Sequence, residues 1–255
     1  MTYARGDFDS VTPMPSWITG ARAETLEDVA FLSGAALSHL HLALGRREVP
    51  LALLRARLAL RAAEASVAFS GRPERARELR DAAAFLQPGD SPGPAGAVWL
   101  SWRRAVDRPI SVKALHRALR GVDADQIGVW LDAGQGAPVP CAADVLQAVI
   151  EDRPRDHAAA LLLAEASLAQ SLGWSHVRPL LALGLERGDL RKAGEALRLA
   201  CHRAIGTASA EAAREAADLA RRAARMKSVA PKLRARGRRR RWRCFWHAMR
   251  SRPSR

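Results

Sequence analysis

Apolar residues in this chain recur three and four positions apart, in segments that open on a capping residue and close on glycine or proline. That spacing matches the 3.6-residue turn and commits most of the chain to amphipathic α-helices. Nowhere do β-branched residues alternate with polar ones over a strand's length, so no sheet is expected. The clearest helix lies in 210–228. There Ala212, Ala216, Leu219, Ala223 and Met226 form one stripe, and Arg214, Asp218, Arg221 and Arg225 face away.

Thr25, with Asp28 three residues on, predicts a helix start, and Gly45 its end. Pro50 opens a second helix that stops at Gly71, and Pro73 a third that breaks at Pro88. Three prolines and three glycines in 88–96 predict an exposed loop and the best internal boundary. Val98, Trp99, Trp102 and Val106 mark a fourth helix, while Ser111 and Asp123 cap short helices to Leu119 and Leu131. Further helices are expected over 140–150, 155–172, 175–185, 190–205 and 210–228. The fold class is therefore all-α, an irregular helical bundle or a solenoid-like array of helical hairpins. Its divisions are an N-terminal arm (1–23, with Trp17 and Ile18 docking it onto the body), a helical domain (24–235) and a basic tail (236–255).

The net charge of +15 suggests a polyanion partner, but residues 234–255 hold ten arginines and no acid, and removing them leaves +5. Only four of the 41 basic residues are lysine, a bias expected of a GC-rich genome and weak evidence for phosphate binding. The longest apolar run, Ala158 to Ala164, stops at Glu165, well short of the roughly twenty residues a membrane span needs. With no basic-then-apolar leader, the expectation is a cytoplasmic protein that makes no membrane contact.

No metal, cofactor or catalytic residue is expected. The cysteines, 141, 201 and 244, are too far apart for ligand pairs, and His39 and His41 fall about 200° apart on a helix. Gly134-Gln135-Gly136 lacks both the third glycine of a dinucleotide fingerprint and a preceding strand. Residues 111–131 have the size of a helix-turn-helix, but Asp123, Asp125 and Asp132 would repel phosphate, so they read as a structural hairpin. Trp99 and Trp102 read as core anchors. An enzyme would need a pocket around a group such as His116 or His202, which spacing alone cannot supply.

The stretches 45–63, 86–90, 92–96, 130–136, 199–204 and 230–234 together resemble the bacterial domain-of-unknown-function family fourteen-oh-three. The resemblance covers nearly the whole body to Arg234, implies a bacterial cytoplasmic protein and brings no catalytic residues. Beyond Gly237 the composition changes abruptly. In the frame that starts on each codon's third base, the Phe245–Trp246 junction must encode leucine and the Trp246–His247 junction alanine. That string resembles the close of family members, so the tail reads as the product of a frameshift near Gly237, disordered and without evolved function. The leading functional expectation is a non-catalytic interaction or scaffold protein with a protein partner. The alternative is a nucleic-acid-associated accessory protein, for example in plasmid or chromosome maintenance, using Arg214, Arg221, Arg225, Lys232 and Arg234.

Overall fold

The computed structural model describes residues 12–20, 23, 25–87 and 90–230. Among these the chain is all-α, with eleven helices and no strand. A short α1 (Ser16–Gly20) sits within the predicted arm. Met14 packs on the core, and Trp17 stacks on Phe31 with ring centroids 5.9 Å apart.

Helix α2 (Leu26–Leu44) starts where its cap predicts. Thr25 Oγ1 accepts the Asp28 N–H at 3.1 Å and donates to the Asp28 carboxylate at 2.7 Å. Helix α3 (Leu51–Phe69) follows Pro50, and Gly71, with φ +77°, takes the left-handed turn that ends it. Helix α4 (Ala76–Ala84) begins later than Pro73 suggests, at Arg75, whose N–H donates to Glu78 Oε2 at 2.7 Å.

Helix α5 (Gly93–Asp107) corrects the expected loop at 88–96. Pro94 lies in the first turn, where a fixed φ suits the helix and the missing N–H has no partner to lose. Ala95 and Gly96 are already buried, so the exposed part of the described connector ends near Ser91. The core also crosses this stretch without interruption. Trp102 is fully buried, and its Nε1 donates at 3.0 Å to Ser66 Oγ on α3, which donates in turn to the Ala62 carbonyl at 2.8 Å.

Ser111 and Asp123 cap α6 (Val112–Ala118) and α7 (Ala124–Asp132) as predicted. Leu115, Ala118, Ile127 and Trp130 are buried, so the pair packs its apolar faces into the core. Helix α8 (Pro138–Asp152) then packs on α9 (His157–Ser171), buried at every position from Ala159 to Ala169. A helix apolar on all sides belongs at the centre of a body, and α9 is that centre.

Two expectations fail after α9. The predicted helix over 175–185 shrinks to α10 (Leu181–Gly184), preceded by irregular chain. Glu165 on α9 reaches across and accepts the N–H groups of Leu180 and Ala182 at 2.6 and 3.0 Å, replacing bonds a longer helix would make. The helices expected over 190–205 and 210–228 are one, α11 (Gly194–Val229). Gly206 does not break it, because Ala204, Ile205, Ala208 and Ser209 are all buried around it.

Candidate functional site

Because α11 is continuous, it sets Arg214, Arg221 and Arg225 on one face. Their separations of seven and four residues keep them within about 40° at 100° per residue, and all three are exposed. Lys232 and Arg234, named with them from the sequence, lie outside the described residues. Arg203, eleven residues before Arg214, extends the stripe, and its Nη2 donates to the Ala23 carbonyl at 3.3 Å.

Electrostatically the face is mixed along its length. Glu211 and Glu215, on its flank, bind Arg61 and Arg57 of α3 at 2.6 and 3.4 Å, so these acids hold α11 to the body. Asp218 pairs with Arg222 at 2.7 Å and with Arg221 at 3.5 Å. Arg214, Arg225 and Lys227 have no ion-pair partner among the described residues. Burial stops before the helix does: Ala220 is the last buried side chain among the described residues, and from Arg221 to Val229 the side chains are exposed except for the half-buried Ala223 and Met226. The final turns of α11 thus present a helix surface with a basic stripe and an apolar edge at Met226 and Val229.

The titratable groups that could form a reaction centre are turned inward. Burial pushes the Glu165 carboxyl up to about 8, against the backbone N–H donors of Ala182 and Leu180 that favour the ionised form. Burial, with the charges of Asp189, Glu165 and Asp144, pushes the Cys201 thiol up to about 12, far from a reactive thiolate. His202 is buried, its pKa is lowered by desolvation, and its Nδ1 meets Ser33 Oγ on α2 at 2.7 Å. His116, the other histidine considered for a pocket, stands exposed on α6. These groups tie α9 to the chain before α10, and α2 to α11. Sequence reading missed Glu165 as a structural centre, although one acid within an apolar helix was its visible signal.

Neither of two surface depressions is lined by these groups. One follows the turn Arg153, Pro154, Arg155 and Asp156, and another lies between the arm and α2, lined by Thr12, Pro13, His39 and Leu42. Among the described residues no three His, Cys, Asp or Glu side chains converge as a metal site, and no helix is long and apolar enough to cross a membrane.

No curated protein and no solved structure matches the chain. A family model does match, over residues 3–248, a range longer at both ends than the motifs quoted above. The chain therefore belongs to the family described as "Protein of unknown function (DUF1403)".

Proposed function

We propose that this chain is a non-catalytic interaction protein, a helical body that offers the end of α11 to a protein partner with an acidic surface. The observation that carries the reading is the change along α11, which buries fourteen residues up to Ala220 and none after it. A helix surface with basic residues and an apolar edge suits a groove or a second helix on a partner. The inward use of Glu165, Cys201 and His202 further supports a body built for shape, and an enzyme ranks third. The second reading, a nucleic-acid-associated accessory protein, rests on the single-face placement of Arg214, Arg221 and Arg225.

Affinity capture from cells of the native host, with wild type and an Arg221→Glu/Arg225→Glu variant, tests both. The expected result is a partner protein held by wild type, lost from the variant and retained after nuclease treatment. Capture of the same proteins by both chains would sink the proposal. Capture that needs nucleic acid and weakens steeply with salt would favour the second reading, because phosphate contacts release counterions.

A further inference from the structure

Arg178 carries a charge that the described chain leaves without a counter-ion. It lies in the irregular stretch between α9 and α10, with its guanidinium carbon 4.5 Å from the centre of the Trp174 ring. Its Nε and Nη1 are shielded from solvent and bond to nothing. Arg55, in the second turn of α3, is close enough for its charge to bear on the Arg178 guanidinium, and it donates from Nε to the Val106 carbonyl at 3.1 Å. His176 completes the cluster, its Nδ1 2.8 Å from Ser175 Oγ. Asp107 is the acid near Arg55 and His176, yet neither arginine has a carboxylate within 4.0 Å among the described residues.

Two half-buried guanidinium groups and an imidazole around one acid are an unfavourable arrangement when empty. Desolvation penalises each charge, and the like charges repel. The cluster is nevertheless held in place from several sides. Trp174 Nε1 donates to His41 Nδ1 at 2.9 Å, its backbone N–H reaches the Ala169 carbonyl at 2.8 Å, and its ring supports the Arg178 plane. The Ile110 N–H donates to the Ser175 carbonyl at 2.9 Å and pins the α5–α6 connector beside the cluster. Donors fixed ahead of time around uncompensated positive charge are what an oxyanion requires. Arg55, His176 and Arg178 are each only partly covered, and Asp107 and Ser175 are exposed, so the cluster reaches solvent at its edge while Arg178 Nε and Nη1 lie just beneath it.

We propose that Arg178, Arg55 and His176 form a binding site for a phosphoryl group. Two fixed guanidinium charges match a dianion better than a monoanion, and the planar N–H fork suits phosphate oxygens. Desolvation, Arg55 and Arg178 lower the His176 pKa in the empty site, and an arriving dianion opposes that effect and recruits the ring as a third donor. A small phosphomonoester supplies that dianion, whereas each phosphodiester of a nucleic-acid backbone carries one charge and is the weaker match.

The test is calorimetric titration of the full chain with inorganic phosphate, in sodium chloride adjusted to constant ionic strength. Wild type and an Arg47→Ala control are expected to bind with one saturable site, and Arg178→Met to bind at least about tenfold more weakly. Methionine keeps much of the stem that lies over Trp174, and circular dichroism checks the fold. Should that variant not fold, Arg55→Met probes the same site from α3 with the same expectation. Absence of a saturable site in wild type overturns the proposal, as does unchanged affinity in the folded variants. A duplex oligonucleotide whose affinity also falls in Arg178→Met identifies the backbone as the source. At a salt concentration that releases the arginine-rich tail from DNA, a duplex indifferent to the substitution, while inorganic phosphate binding is lost, identifies a small phosphorylated molecule.

Discussion

Glu165 concentrates the conflict between burial and charge in one side chain. Its Oε1 accepts two N–H groups, its Oε2 is buried without a partner, and its pKa rises from 4.5 to about 8. The folded chain therefore holds a proton that the unfolded chain releases near pH 4.5. The stability from the neutral form is full below that value and is lost as pH climbs through about 8. Glu165→Gln keeps an oxygen for Leu180 and Ala182 and cannot ionise. It is expected to match wild type near pH 5 and to exceed it at pH 8.5, measured by urea unfolding at the two pH values. Glu165→Leu removes the acceptor and orphans two buried N–H groups, at a cost of about 1–3 kcal/mol each. Equal pH dependence in wild type and Glu165→Gln would show that the carboxylate is already ionised in the folded core.

At the scale of elements, two glycines distinguish what holds α11 together. Gly206 lies inside the helix, and nothing comes within 4 Å of a Cβ built there. Gly206→Ala is expected to raise stability by about 0.5–1 kcal/mol, since alanine loses less entropy in a helix interior. Were this position a break between two helices, the same change would be neutral or destabilising. Gly184 on α10 has the opposite environment, for a Cβ there would collide with the Ala204 backbone of α11. Gly184→Ala is expected to lower the thermal midpoint while Gly206→Ala raises it. The pair also marks how far sequence legibility reached. Caps at Thr25, Ser111 and Asp123 were readable because each acts within three residues of itself. The irregular chain at 175–180 was not, because its acceptor, Glu165, sits on another helix. The same limit applied to function. Arg214, Arg221 and Arg225 share a periodicity that sequence reveals, whereas Arg55 and Arg178 are 123 residues apart and meet only through tertiary packing.

Across the whole molecule, one core joins residues from Leu37 to Ala220, and the positive charge is concentrated beyond it. The tail from 236 to 255 carries nine arginines and lies outside the described residues. Charge of that density attracts any polyanion whatever its origin, so DNA binding by the full chain does not by itself identify a function. The salt dependence separates the contributions. Each phosphate neutralised adds about 0.9 to the slope of log affinity against log salt, so loss of the tail can lower that slope by up to about eight. Deleting 236–255 is expected to abolish most duplex binding at physiological salt, leaving a shallow residue that Arg221→Glu/Arg225→Glu removes, as read by fluorescence anisotropy over a salt series. An unchanged slope in the shortened chain would assign the binding to the α11 face. The gene bears on origin independently. The family match runs eleven residues past Gly237; we propose that a frameshift near Gly237 nonetheless produced this tail, and resequencing the locus in the native host tests it. A single-base change that restores an apolar, alanine-rich end would support the proposal, and an alternative frame interrupted by stop codons would overturn it. In the restored protein the net charge would fall towards that of the body, and the non-specific component of DNA binding would fall with it.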